Sequence, residues 1–260
     1  GNFSVSQNLY GKMTVNPGGL VNVGAVLVLG NQGNTASDVI QNGGTVNVTG
    51  HVRIAHWGNN ASTFSTYNMF GGTLNVPNAQ VAVGWDGIGL MNMTNGTVNC
   101  VRLTIDDNGI NGALNGTNST FTMSGGKLNI GSGGITSAST TNQFVPTVVL
   151  SGGTIAAANP LGWSSSMFMR LTNGSPTFDS SNSIITLSGV LSGNGGLTKQ
   201  GNGVLQLDGV NTYPNVTTIA AGRLQGAGTI SGPVTVQSGA VLSAGGTLAR
   251  GTLTVSNNVT

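Results

Sequence analysis

The chain has 260 residues, of which 44 are Gly, 5% are charged and 5% aromatic, with a net charge of +2. An ordinary soluble domain is about a quarter charged. All six acids here are Asp, so a protein built on charged surface helices is excluded. The eight basic residues are scattered, which argues against a nucleic-acid partner, and no apolar run approaches the roughly 20 residues of a membrane-spanning helix.

Asn, Ser, Thr and Gly supply the polarity and favour turns, while Val, Ile and Thr favour strands. Phe3-Ser4-Val5 and Leu9–Val15 already read as strand material. Next comes the string that organises the chain, Asn42-Gly43-Gly44-Thr45-Val46-Asn47-Val48. It is repeated as Gly71-Gly72-Thr73-Leu74-Asn75-Val76, Asn95-Gly96-Thr97-Val98-Asn99-Cys100 and Gly125-Gly126-Lys127-Leu128-Asn129-Ile130. Looser copies start at Gly18, Gly152 and Asn173. Taken at Gly19, Gly44, Gly72, Gly96, Gly126, Gly153 and Gly174, successive copies lie 21 to 30 residues apart, a period that signals a solenoid.

Each period carries three apolar pieces that alternate with period two, as half-buried strands do. The first is the Thr-Val-Asn-Val piece. The second includes Ala25–Gly30, Val52–Ala55, Val81–Gly84 and Val101–Ile105; the third includes Tyr67–Met69, Met91–Met93 and Phe121–Met123. The fold class expected is therefore all-β: a single-stranded parallel β-helix with three short strands per coil and about ten coils. Right-handed coiling follows from the strong right-handed bias of parallel crossovers. Val46, Leu74, Val98, Leu128 and Ile155 should stack inside, with the glycine pair at the preceding corner. Asn22, Asn47, Asn75, Asn99 and Asn129 should form an outward ladder that hydrogen-bonds along the stack; a face that binds ice or crystalline polysaccharide is the sharper alternative. Cys100 takes an inner slot and reads as a small buried hydrophobe. The longest departures, 58–66, 106–118 and 136–143, read as protruding loops in which binding residues would sit.

From about Ser183 the glycines become denser. The order Leu191-Ser192-Gly193-x-Gly195-Gly196-Leu197-x-Lys199-x-Gly201-x-Gly203-x-Leu205-x-Leu207-x-Gly209-x-Asn211-x-Tyr213 resembles the autotransporter-associated β-strand repeat, also called the passenger-associated transport repeat. The likeness runs from about Leu191 to Leu224 and departs at Pro214-Asn215-Val216, where that family usually has glycines. It implies an extracellular right-handed β-helix at the surface of a diderm bacterium, in an autotransporter passenger or large secreted surface protein. Two regions are thus expected: 1–182 with irregular coils, and 183–260 continuing the helix with this repeat.

Candidate chemistry is sparse. Asp106-Asp107 is the only acidic pair; it reads as an Asx-type turn, with a weak Ca²⁺ site or a catalytic pair as the functional alternative. Trp85-Asp86, Arg102 and Arg53 could lie near it. His51 and His56 read as turn or solvent-facing side chains, a metal site being the alternative. Trp57, Trp85 and Trp163 read as packing over coil corners, with an aromatic sugar platform as the alternative. No cofactor, metal or catalytic residue is expected.

A β-helix presents open strands at its ends. Phe3, Val5 and Leu9 near one end, and Leu253, Val255 and Val259 near the other, are the candidates for self-assembly. The expectation is a non-enzymatic extracellular protein whose copies pair head to tail into a filament. A monomeric passenger or adhesin stalk binding glycans or a cell surface is the alternative, and a polysaccharide-active enzyme the third.

Overall fold

The computed structural model describes residues 1–7, 9–31, 36–56, 64–107, 119–137, 147–246 and 250–260. Among them every regular element is a β-strand. The strands pair in parallel, each with the equivalent strand of the next coil, to form a β-solenoid of about nine turns, consistent with a right-handed β-helix. Two compact units are present: a first of Gly1–Lys127 and Ile135–Val148, and a second of Leu128–Gly134 and Val149–Thr260.

In the first unit the repeated string is the first wall of each coil. Register is one to one: Val21, Val46, Leu74 and Val98 are successive partners, as are Leu20, Thr45, Thr73 and Thr97. Val46, Leu74 and Val98 are fully buried. One coil cannot cover that apolar row alone, but stacked at about 4.8 Å the rows close on one another. The glycine before the strand is steric as well as conformational. Gly72 has φ +81°, and a Cβ there would come within 2.4 Å of the Gly44 carbonyl oxygen.

The second wall places Leu27, Val52, Val81 and Leu103 in one inner column and Leu29, Ile54, Val83 and Ile105 in the next. The residues between them, Val28, Arg53, Ala82 and Thr104, share one outward column. In three coils the first and second walls are one continuous strand, Thr73–Val83, Thr97–Ile105 and Lys127–Ser137; between the first two a register shift between Cys100 and Arg102 turns the corner. The third wall stacks Val39, Tyr67, Met91 and Phe121, all without solvent exposure. Burial pushes the Cys100 thiol up to about 12, as expected for an apolar slot.

In the second unit, Trp163, Ile185, Leu205, Leu224 and Leu242 form an inner column. Phe178, Lys199, Ile219 and Val236 form another, so a lysine occupies a core position. Trp163 is 4% exposed and faces the core; it is not a sugar platform, because its ring fills the space that Ile and Leu fill in the next coils.

Candidate functional site

The chemistry-bearing side chains of the first unit converge outside its second wall. Arg53, on the strand Val52–Ile54, points outward because Val52 and Ile54 on either side are fully buried. Its guanidinium lies 4.0 Å from the centroid of the Trp85 ring, a cation–π arrangement. Trp85 belongs to the next coil, just beyond the left-handed Gly84, where its amide donates to the Ile54 carbonyl at 3.0 Å. The His51 and His56 rings flank the same indole, with centroids 6.2 Å and 5.9 Å away.

His56 links the arginine to an acid. Its Nε2 is 3.5 Å from Arg53 Nη1 and its Nδ1 is 3.5 Å from Asp86 Oδ2. A guanidinium can only donate, so Nε2 is the acceptor and the proton sits on Nδ1, facing the carboxylate. One coil further on, Gln80 Nε2 donates to Asp107 Oδ2 and Thr104 Oγ1 donates to Gln80 Oε1 at 3.1 Å. Burial raises the Asp107 carboxyl, opposed by Gln80, Arg102, His51 and Arg53. Burial lowers both His51 and Arg53; Arg53 and Arg102 lower His51 further. Among the described residues no cluster of His, Cys, Asp and Glu could hold a metal ion.

Asp106 does not join this outward group, although it is the sequence neighbour of Asp107. Its φ is +51°, and its amide donates to the Val83 carbonyl at 2.9 Å. The corner residues Gly30, Ala55 and Gly84 have φ of +70°, +60° and +79°; Asp106 continues their left-handed corner. The side chain therefore turns inward. It is 3% exposed, and neither carboxylate oxygen has a hydrogen-bond partner. Burial pushes its pKa up to about 7, with Ser119 nearby opposing the shift. The Ser119 hydroxyl donates to the Gly87 carbonyl at 3.4 Å and accepts from Gly89 N at 3.1 Å. Asp106 therefore makes no Asx-type turn; one at Asp107 would bond residue 109, outside the described residues.

An open pocket of about 530 Å³ adjoins the arginine and is lined by Asn2, Ser4, Gln7, Val28, Asn31, Arg53 and His56. The sequence suggested Arg53 as a neighbour of the acidic pair but gave no sign of this pocket. Its lining joins residues from three successive coils, and only the register Ser4–Val28–Arg53 reveals it.

The asparagine ladder has measurable contacts. Asn47 Nδ2 donates to Asn22 Oδ1 at 2.8 Å, Asn75 to Asn47 at 2.8 Å and Asn99 to Asn75 at 2.7 Å. Asn129 lies at the same place in its own strand, Lys127–Ser137, and is half-buried. A second ladder on the third wall, Asn92 to Asn68 at 2.9 Å, follows from the Tyr-Asn-Met and Met-Asn-Met strings. Of the end residues, Phe3 is 44%, Leu9 81% and Val259 52% exposed, and Val5 is half-buried. Val255 pairs with Ile230 and Val259 bridges Val234; Leu253 is half-buried beside them. Trp57 and most of the three long loops (58–63, 108–118 and 138–143) lie outside the described residues.

In the second unit, Lys199 is fully buried and its Nζ donates to three carbonyls: Gln200 at 2.7 Å, Gly201 at 2.7 Å and Ala221 at 3.1 Å. Burial lowers its pKa to about 8, opposed by Asp179. Asn211 is also fully buried; its side chain accepts from Leu191 N at 3.0 Å and donates to Gly209 O at 3.0 Å. The Tyr213 hydroxyl meets Thr217 Oγ1 at 2.7 Å. All three belong to the string that resembles the passenger-associated repeat.

The class defined by this fold is a parallel β-solenoid with interior polar fasteners and no assembled catalytic centre among its described residues. The passenger-associated-transport-repeat family matches residues 197–225, the coils that contain Lys199, Asn211 and Tyr213. No curated protein and no solved structure matches the chain. The solenoid and the repeat together fit an autotransporter passenger-like β-helix, and the repeat suggests a secreted or cell-surface bacterial protein.

Proposed function

We propose that the chain is a non-enzymatic structural protein of the bacterial exterior, whose copies stack end to end through open strand edges into a surface or matrix filament. The observation that carries this reading is exposed apolar surface on the outermost strands of each unit. Phe3 and Leu9 in the first unit, and Val241 and Val259 in the second, are exposed, on or beside the strands Phe3–Ser4, Gly11–Val15, Val241–Ala244 and Thr254–Val255. A strand edge that meets another chain's strand continues the sheet across the junction. The non-enzymatic part is supported by Asp106, which is buried away from any polymer, and by Asp107, which is held by Gln80.

A monomeric passenger stalk is the second reading, favoured by the repeat at 197–225. Negative-stain electron microscopy and sedimentation of the purified chain separate the two. Filaments many subunits long, suppressed by Phe3→Lys with Leu9→Lys, are the expected outcome. Monodisperse single subunits at every concentration would refute stacking.

A further inference from the structure

The pocket beside Arg53 has the makings of a ligand site that the structural role does not use. Ser4, Val28 and Arg53 occupy equivalent outward positions in three successive coils, so the pocket opens on the flank of the first unit and takes in the outermost strand Phe3–Ser4. Its volume of about 530 Å³ falls within the roughly 300–1,000 Å³ of small-ligand pockets.

Among the described residues Arg53 is the only permanently charged one in the lining. Asp86 and Asp107 influence it, but neither is within salt-bridge distance, and among the described residues it has no carboxylate partner. Its Nε is buried and has no hydrogen-bond partner. The guanidinium is nonetheless held in place, its carbon over the Trp85 ring at 4.0 Å and its Nη1 3.5 Å from His56 Nε2. A guanidinium fixed in this way is a preorganised fork for a carboxylate. Around it stand Asn2, Gln7 and Asn31 amides and the Ser4 hydroxyl, groups that both donate and accept. Among the described lining residues Val28 is the one apolar side chain, and it is 3% exposed. An apolar peptide side chain would find little to bury there. A polyphosphate would meet a single full positive charge. A ring carrying several hydroxyls and one carboxylate would satisfy both the amides and the arginine.

We propose that this pocket binds a hexuronate unit of an acidic polysaccharide, with the carboxylate on Arg53 and the sugar hydroxyls on Asn2, Ser4, Gln7 and Asn31. Trp85 serves as the backing plate that fixes the guanidinium, and His56 steers its edge.

Isothermal titration of the chain with trigalacturonate and with trimannuronate tests this, with neutral maltotriose as the control. At least one uronate should bind saturably and maltotriose should not. Arg53→Gln should weaken binding at least about tenfold, the loss expected for a charge-assisted hydrogen bond. Asn31→Ala should weaken it several-fold. Lys127→Gln removes an equal charge from an exposed site and should leave binding unchanged. Arg53→Lys keeps the charge without the planar fork and should still bind more weakly; it stands in if the glutamine variant fails to fold. Absence of binding by both uronates, equal binding of maltotriose, an unaffected Arg53→Gln, or equal loss in Lys127→Gln would overturn the proposal. So would full displacement by equimolar phosphate or acetate, which would mark a simple anion site.

Discussion

Asp106→Asn is expected to flatten the pH dependence of stability in the first unit. In the folded chain burial raises the carboxyl to about 7, from its ordinary value of 3.8, because it is 3% exposed. The folded state therefore holds the proton more tightly than the unfolded state. The stability this contributes is fully present below about pH 4 and is lost as pH rises through 7. A shift of about three units corresponds to about 4 kcal/mol across the whole range. Most of that loss, roughly 2 to 3 kcal/mol, falls between pH 5 and pH 8. Asparagine keeps the size and shape of the side chain, tolerates the left-handed backbone and has no proton to exchange. The assay is urea unfolding of both proteins at pH 5, 6, 7 and 8, followed by hydrogen exchange at the amides of 103–107 to assign the effect to this corner. Subtracting one pH profile from the other cancels every group the two proteins share. An Asn variant with the same slope as the parent, or one whose disadvantage grows toward pH 8, would refute the reasoning.

Two further outcomes follow from the packing. Lys199→Met should destabilise the second unit by roughly 3 kcal/mol near neutral pH, because three buried carbonyls lose their donor. Its folded pKa is depressed, so the parent gains stability as pH rises from about 8 toward the unfolded value, opposite in sign to Asp106, and the variant should lack that rise in denaturant titrations. Gly72→Ala places a Cβ 2.4 Å from a backbone oxygen at φ +81°; a loss of roughly 3 kcal/mol in urea unfolding is expected, and a neutral result would show that the corner can relax.

The coil architecture was legible because its causes are local and repeated. Val46, Leu74 and Val98 alternate with Asn47, Asn75 and Asn99, and identical strings stacked in parallel have one register that buries every Val. The fate of Asp106 was not legible. Its corner neighbours, Gly30, Ala55 and Gly84, share a backbone conformation but not a side-chain type, so the column is invisible to string matching. Trp163 packs, but in an inner row whose other members are Ile and Leu and not over a corner, a slot that no repeated string marks. The Arg53–Trp85 stack joins residues 32 positions apart in successive coils, a contact set by the coil length and not by any neighbouring residues.

Solenoids built from near-identical turns face an error that globular domains escape: a turn can dock against the wrong neighbour and still satisfy most of its contacts. Shifted by one coil, the asparagine ladder and the valine rows would re-form almost unchanged. Lys199 would not. Its partners in the core column are Phe178 and Ile219; displacement would carry the Gln200 and Gly201 carbonyls along with it but would strip its ammonium of the Ala221 carbonyl in the next coil. A single buried cation in a monotonous stack thus acts as an indexing pin, making the correct alignment the one in which its ammonium keeps every acceptor.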